Sequence, residues 1–185
     1  LRHGIPVWMS RGTHAAIGAP DFDGLLHMAH DMVPIDLGTV CAVPFTVPHD
    51  EREPLQLRCT DGASHLGLIT DLGHASRHVL QQLQGCHALL LEANHDPDML
   101  AASGYPAFLK RRIAGVHGHL ANHDAAGILA AVRHTGLHRV VAAHLSAQNN
   151  QPQLAQHALA HALGWPADSV DIASATAGTD WINVV

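Results

Sequence analysis

The chain has 185 residues, of which 47% are apolar, so it can bury a hydrophobic core and does not have the composition of a disordered protein. Asp and Glu outnumber Lys and Arg by 16 to 10, which excludes a binding mode that depends on positive charge spread over the whole molecule. Histidine stands out, with 18 residues, and imidazole is the commonest metal ligand in proteins. The three cysteines are widely spaced, and we expect them to be reduced and buried.

The first half of the chain is dominated by predicted strands. Apolar runs predict strands over residues 5–9 and 40–47, with a short helix between them that Thr13 caps. Runs over residues 55–60 and 65–70 flank Asp61-Gly62-Ala63-Ser64, which is typical of a hairpin turn. A helix is predicted next.

Strands and helices alternate in the second half. Strands are predicted over residues 87–91, 139–143, 170–173 and 181–185. The helices that follow the hairpin are predicted over residues 75–83, 96–102, 105–114, 122–133 and 151–164. Asp96, Asn122 and Asn150 are the predicted N-caps. Hairpins followed by strand–helix alternation predict one domain over residues 1–185, of the α/β or α+β class.

Four predicted strands run into a residue that can bind metal or exchange protons. These residues are His49, Asp71, Glu92 and His144. Because a strand places its last residue at the rim of the sheet, two imidazoles and two carboxylates converge if the rims lie on one side. That set of ligands suits zinc, manganese or iron. For each residue alone, an ordinary loop position in solvent remains the other interpretation.

Several longer segments come in the order found in a known family. They are 70–73 (TDLG), 91–96 (LEANHD), 104–106 (GYP), 109–113 (LKRRI), 118–122 (GHLAN) and 143–146 (AHLS), followed by Asn149 and Asn150. Together they closely resemble the metallo-β-lactamase-fold hydrolases, and in particular their bacterial exonuclease-like branch. The resemblance covers nearly all of residues 1–165.

The resemblance implies an αββα sandwich with two divalent metal ions, zinc or manganese, at one edge of its sheets. His49, Asp71 and His144 match metal ligands, and Asp71 matches the carboxylate that bridges both ions. In the family the first ligands come from a His-x-His-x-Asp-His motif, which this sequence does not contain. We expect that motif and the first strands of the fold to lie upstream of Leu1, and metal binding by this chain alone to be weak.

The resemblance also implies roles in proton transfer. The related tRNA 3′-processing nucleases carry a similarly placed glutamate and histidine that protonate the leaving oxygen. His119 is therefore our candidate general acid, with Glu92 orienting it and Asp71 completing the catalytic set. A structural role for Glu92 remains open. The family usually has serine where Ala121 stands.

Five polar residues near these motifs are candidates for contacting substrate: Asn94, His95, Lys110, Asn122 and Asn149. Lys110 opens the one basic run of the chain, Lys110-Arg111-Arg112, where phosphates could dock. A solvated helix face is the other interpretation of that run, and helix capping is the other interpretation of the asparagines.

The resemblance implies a metal-dependent phosphodiesterase, an exonuclease acting on nucleic acid through a hydroxide activated by two metal ions. A hydrolase of small esters, thioesters or lactones is the alternative on the same fold, and a catalytically inactive fragment is another. The sequence has no apolar run near the ~20 residues that a membrane span requires. It also shows no secretory signal, so we expect a cytoplasmic location without membrane partners.

Overall fold

The computed structural model describes residues 3–184, which form two sheets and six α-helices. The smaller sheet pairs two strands in parallel, β1 (Val7–Met9) and β2 (Leu26–Met28). The larger sheet has seven strands, and their order across the sheet follows the chain. They are β3 (Ile35–Asp36), β4 (Cys41–Thr46), β5 (Leu55–Thr60), β6 (His65–Ile69), β7 (Ala88–Glu92), β8 (Arg139–Ala143) and β9 (Asp171–Ile172).

The helices are short, and most of them connect strands of the larger sheet. They are α1 (Arg11–Ala16), α2 (Arg77–Leu83), α3 (Pro97–Ala102), α4 (Ala107–Ile113), α5 (Asn122–Val132) and α6 (Pro152–Leu163), and one turn of 3₁₀-helix follows at Ala167–Ser169. No helix among residues 3–184 combines the length and the apolar character that crossing a bilayer requires.

The strand directions place the helices on one face of the larger sheet. Strands β3 to β6 are antiparallel neighbours, whereas β6 to β9 are parallel. Each parallel step is connected through helices, and right-handed crossovers that advance in one direction put their helices on the same side. In agreement, α5 packs against both α2 and α6.

The hydrophobic core lies between this helical layer and the sheet. Leu89 and Leu91 alternate along β7 toward the helices and are almost fully buried, as are Ile128 and Leu129 of α5. Leu90, which points to the other face of the sheet, is only half-buried. The long apolar runs of β7 and β8 thus reflect strands at the centre of the sheet.

The predicted hairpin is present, and β8 has the predicted bounds. The predicted cap of α1 is wrong, because Ser10 is the N-cap and its Oγ accepts the amide hydrogen of Thr13 at 3.0 Å. The short strands β2 and β3 have no clear apolar alternation and were not predicted.

The predicted asparagine caps are also wrong, since Ala121 and Gln151 occupy the N-cap positions of α5 and α6. Asn122 and Asn150 instead pair with each other through their side-chain amides, each donating to the other at 2.9 Å. Both are buried, so this pair satisfies polar groups that solvent cannot reach.

Two further expectations need correction. Residues 181–184 form no strand, and the remaining residue of that predicted strand, Val185, lies outside the described residues. Of the cysteines, only Cys86 is buried, whereas Cys41 and Cys59 are partly exposed. Cys41 and every residue of β5 are only partly buried, and residues 181–184 are exposed or partly buried, so apolar composition alone overestimates burial there.

Candidate active site

The sheet explains why distant residues meet. Strand β4 runs antiparallel to β5, and β5 runs antiparallel to β6, so β4 points the same way as β6, β7 and β8. The carboxyl ends of these four strands therefore share one edge of the sheet, which is the usual place for a site in an open α/β sheet.

The three predicted metal ligands meet at that edge. Asp71 lies just beyond β6, and its Oδ1 is 3.9 Å from Nε2 of His49 and 3.7 Å from Nδ1 of His144. His49 follows β4 and His144 follows β8. The structure thus places one carboxylate between two imidazoles that are 95 residues apart in sequence.

His119 joins the same cluster through a backbone pairing. The carbonyl oxygen of Leu120 accepts the amide hydrogen of Asn94 at 2.9 Å, which extends β7 alongside the segment before α5. The His119 ring lies between two others, with its centroid 5.3 Å from that of His49 and 5.2 Å from that of His144. Its Nδ1 is 3.8 Å from Oδ1 of Asp71, so His119 is within reach of both metal binding and proton transfer.

Glu92 holds two histidines of the cluster through hydrogen bonds. Its carboxylate is fully buried at the end of β7. Oε1 accepts hydrogen bonds from Nδ1 of both His119 and His144 at 2.8 Å. Oε2 accepts the amide hydrogen of Leu72, the residue after Asp71, also at 2.8 Å. The carboxylate of Glu92 therefore fixes the rings of His119 and His144 and the backbone next to Asp71.

These contacts determine which nitrogens carry hydrogen. A carboxylate can only accept, so Nδ1 of His119 and Nδ1 of His144 are both protonated, and their Nε2 atoms are left free. Burial alone would raise the pKa of Glu92, but the hydrogen bonds from the two histidines and from the Leu72 amide hold that pKa below its ordinary value. The hydrogen bond to Glu92 in turn raises the pKa of His144.

Two residues of the cluster have an unusual backbone. Asp71 has φ 53° and His144 has φ 55°, which is the left-handed region that residues with a Cβ rarely adopt. Each follows a central strand directly or after one residue. Such strain persists where the surrounding structure holds it, and it concentrates at functional sites.

The donor set fits a divalent metal ion. Both ring nitrogens of His49 are buried without a hydrogen-bond partner among the described residues, which is costly unless a ligand satisfies them. Ligand atoms within 4.8 Å of one another come from two groups, His49 with Asp71 and His119, and Glu92 with His119 and His144. Because both oxygens of Glu92 already accept hydrogen bonds, we assign Glu92 to positioning rather than to metal binding.

A further ion pair borders the cluster and was not predicted. The guanidinium of Arg112 donates from Nε to Oδ2 of Asp50 at 2.6 Å, and Asp50 Oδ1 lies 3.4 Å from Nδ1 of His49. This hydrogen bond from Arg112 holds the pKa of Asp50 below its ordinary value. The partners are 62 residues apart, so no local pattern in the sequence indicates the pair.

The three asparagines predicted to contact substrate are buried and bonded within the protein. Asn94 donates from Nδ2 to the carbonyl oxygen of His144 at 2.9 Å, which holds the backbone of a candidate ligand. Asn122 pairs with Asn150, as described above. Asn149 donates to Ser146 Oγ at 3.4 Å, and its Oδ1 is buried without a partner among residues 3–184. Together they join the three loops that surround the site.

The other two predicted substrate residues lie nearby but differ in exposure. His95 is 97% buried, with a relative exposure of 3%, and its Nδ1 has no hydrogen-bond partner in the described chain. Burial lowers the pKa of His95, so its ring is neutral at pH 7. Lys110 donates from Nζ to the carbonyl oxygen of Ala101 at 2.5 Å, and the structure does not bring it into the cluster.

Comparison with known sequences identifies bacterial relatives. The chain is 36% identical over 126 residues to the exodeoxyribonuclease YycJ of Bacillus anthracis, covering 68% of this chain and 48% of the relative. It is 30% identical over 126 residues to the exodeoxyribonuclease WalJ of Streptococcus pneumoniae, covering 68% of this chain and 47% of the relative. The chain thus spans about half the length of the curated relatives it matches. No protein-family profile matches it.

Comparison with solved structures gives the fold. The protein YhfI of Bacillus subtilis, described as a metallo-β-lactamase fold protein, matches with a TM-score of 0.67 at 13% identity, over 91% of this chain and 62% of YhfI. Zn²⁺-bound PqqB of Methylobacterium extorquens matches with a TM-score of 0.65 at 15% identity, over 93% of this chain and 64% of PqqB. A diphosphatase of the PhnP family matches with a TM-score of 0.61 at 16% identity, over 91% of this chain and 55% of its own.

Sequence and structure therefore agree on one fold. The mixed α/β class and the metallo-β-lactamase type predicted from the motifs are confirmed. The relatives found by sequence are the exodeoxyribonucleases that the exonuclease-like motifs indicated. This chain has the metallo-β-lactamase fold, and over about two thirds of its length it is similar in sequence to bacterial exodeoxyribonucleases.

Proposed function

We propose that the cluster at this sheet edge is the site of a metal-dependent phosphodiesterase, an exonuclease that hydrolyses DNA. The observation that carries the proposal is the buried carboxylate of Glu92, which binds His119 and His144 at once beside Asp71. A general acid and a metal ligand oriented by one anion are suited to phosphodiester cleavage, because the nucleophile and the leaving oxygen both need assistance.

In this proposal His49, Asp71 and His144 would hold the metal, since the Asp71 carboxylate lies near both imidazoles. Two divalent ions, zinc or manganese, would lower the pKa of a water molecule and stabilise negative charge on the phosphate oxygens. The hydrogen bond from His144 to Glu92 leaves Nε2 of His144 free to coordinate. Nε2 of His49, which is buried without a partner among the described residues and faces Asp71, would be satisfied in the same way.

His119 supplies the proton to the leaving oxygen. Its Nδ1 hydrogen is held by Glu92, so a second proton at Nε2 can be donated without loss of that hydrogen bond. The hydrogen bond to Glu92 also fixes the orientation of the ring. Removing a group of this kind typically costs 10²–10⁴-fold in rate.

We propose two kinds of role for the remaining candidate residues. Lys110 contacts substrate outside the cluster, where it adds positive charge in a chain of net charge −6, and the buried His95 offers the substrate its unpartnered Nδ1. Asn94, Asn122 and Asn149 act on the substrate indirectly, through the loops that their amides hold. The two relatives named exodeoxyribonuclease support DNA as the substrate.

The predicted cytoplasmic location is part of the same proposal. Cys41, Cys59 and Cys86 are all free thiols, which suits a reducing compartment. DNA is accessible there.

The test is hydrolysis of end-labelled DNA by the purified chain with Mn²⁺. We expect release of nucleotides that EDTA abolishes and that Asp71→Asn and His119→Ala each reduce by at least 10²-fold. Asp98→Asn, which changes an exposed acid on α3, is the matched control and keeps full activity.

Two outcomes contradict the proposal. Turnover of p-nitrophenyl esters without release of nucleotides would support the small-ester hydrolase instead. Absence of both activities, with Mn²⁺ or Zn²⁺ supplied, would identify this chain as the catalytically inactive fragment.

A further inference from the structure

Aromatic side chains in this protein are few and mostly covered. The chain has seven Phe, Trp and Tyr residues, and only Phe108 and Trp181 are large exposed aromatics. Phe108 lies on α4 with 67% of its surface exposed. Contact with water does not stabilise an exposed phenyl ring. Whether Phe108 belongs to a binding surface must therefore be judged from the residues around it.

Phe108 lies one helical turn from a residue that borders the candidate site. Arg112 lies four residues later, on the same face of the helix, with Cβ atoms about 5–6 Å apart at that spacing. Arg112 binds Asp50, whose carboxylate lies beside His49. Side chains on a helix lean toward its N-terminus, so the guanidinium of Arg112 leans back toward Phe108. Phe108 is therefore one helical turn from Arg112, whose partner Asp50 lies beside His49.

The same helix is attached to the proton donor. The amide of His119 donates to the carbonyl oxygen of Ile113, the last residue of α4, at 2.8 Å. Gly118 packs so closely there that a Cβ would lie 2.2 Å from the carbonyl oxygen of Arg112. Backbone contacts at the C-terminal end of α4 thus fix the distance of this helix, which carries Phe108, from His119.

Charge on α4 complements a nucleic acid. Arg111 is exposed and Lys110 is partly exposed on this helix, in a chain whose net charge is −6. A planar apolar ring next to basic side chains matches the two parts of a nucleotide, since the base stacks on the ring and the phosphate pairs with the cations. An apolar partner protein would not require the basic residues.

We propose that Phe108 is a stacking platform for a base of single-stranded DNA whose phosphodiester lies at the candidate site. This inference rests on the proposed function and adds the form of the substrate that the site accepts. In a duplex both faces of a base are covered by its neighbours, so the ring can stack only on an unpaired or terminal base.

The experiment measures binding of a fluorescein-labelled oligothymidylate of ten residues, linked by phosphorothioates that resist hydrolysis, by fluorescence anisotropy with Mn²⁺. We expect Phe108→Ala to weaken binding about five- to hundredfold, the range for removing one aromatic–base stack, and Phe108→Trp to retain it. An abasic oligonucleotide with the same backbone binds the wild type and Phe108→Ala equally. Arg111→Gln weakens binding of both oligonucleotides by a similar factor, because it contacts phosphate.

Trp181→Ala is the matched control, since Trp181 is fully exposed and lies beside Arg139, at the opposite end of β8 from His144. It binds oligothymidylate like the wild type. If Phe108→Ala also binds like the wild type, the stacking platform is contradicted and the proposed function is untouched. If the wild type binds neither oligonucleotide, the assignment of DNA as the substrate is contradicted, and the inference with it.

Discussion

At the scale of single residues, Glu92 organises the site. It is fully buried yet accepts three hydrogen bonds, from His119, His144 and Leu72. A buried anion is costly unless such partners surround it, and those partners keep its pKa low, so it stays ionised at neutral pH. The site thus depends on a charge that no solvent reaches.

Glu92→Gln tests this dependence. A glutamine amide presents one NH₂ group to partners that are all donors, so at least one donor–donor contact replaces a hydrogen bond. We expect the free energy of unfolding to fall by about 2–4 kcal/mol, measured by urea denaturation at pH 7. Glu51→Gln, at an exposed position, is the control and changes stability by less than about 0.5 kcal/mol. Equal stability of Glu92→Gln and wild type would contradict the role of the charge.

The residues of the site were predictable to different degrees. The strand ends indicated His49, Asp71, Glu92 and His144 because apolar runs and polar ends are local features. The contact of Glu92 with the Leu72 amide and its sharing between two histidines were not predictable, because they depend on how neighbouring strands align. The prediction for the buried Asn122 failed for the opposite reason. Asparagine is a common N-cap residue, but the side chain of Asn122 pairs with Asn150, far along the chain.

At the scale of elements, the loops around the site are held by close backbone contacts. A Cβ on Gly118 would lie 2.2 Å from the carbonyl oxygen of Arg112 and 2.3 Å from that of Ile113. Both of these contacts are with backbone, which cannot rotate away as a side chain can. The turn before His119 therefore requires glycine for space, not for a positive φ.

Gly118→Ala and Gly127→Ala form a matched pair. We expect Gly118→Ala to lower the free energy of unfolding by about 1–3 kcal/mol through overpacking. Gly127 lies within α5 with nothing within 4 Å of its Cβ position, so Gly127→Ala raises stability by about 0.5–1 kcal/mol through helix propensity. Thermal and urea unfolding of both variants check the pair, and the same sign of change in both would contradict the packing argument.

The hairpin between β5 and β6 has its own pH dependence. Oδ1 of Asp61 accepts the amide hydrogens of Ser64 at 2.8 Å and Ala63 at 2.9 Å, and these hydrogen bonds lower the pKa of Asp61. The ionised form is therefore favoured by folding, and its contribution is complete above the ordinary pKa of about 3.9 and is lost as the pH falls through the lower folded value.

We expect the difference in urea midpoint between wild type and Asp61→Ala to be constant from pH 7 to about pH 5 and to shrink as the pH falls below about 4. Equilibrium unfolding across this pH range measures it. A difference that is independent of pH would show that the carboxylate does not hold the turn. The hairpin itself was predictable, because its signal is confined to a few adjacent residues.

At the scale of the whole molecule, the sheet brings the site together. Strands β4, β6, β7 and β8 run in the same direction, so they end at one edge, and His49, Asp71, Glu92 and His144 meet there. Apolar patterning predicts the strands but not their relative directions. From the sequence, the meeting of the site residues at one edge could therefore be expected only through the family resemblance. We propose that residues 1–185 act as one domain, since helices α2, α5 and α6 share one core with the larger sheet.

The net charge of the molecule bears on the proposed binding of DNA. With a net charge of −6, such binding would depend on the local basic run of α4 and on metal at the site, not on the surface as a whole. The proposed function therefore requires that the cluster around Asp71 is a metal centre.

Calorimetric titration with Zn²⁺ at pH 7.5 tests that claim most directly, in a His157→Gln/His161→Gln background that removes the exposed histidine pair on α6. We predict that His49→Ala and Asp71→Asn each weaken Zn²⁺ binding more than tenfold, and that Glu92→Gln weakens it about 10–100-fold by releasing the histidines it orients. Asp36→Asn, at an exposed position on β3, leaves the affinity unchanged. Equal Zn²⁺ affinity in the His49, Asp71 and background proteins would contradict the metal centre.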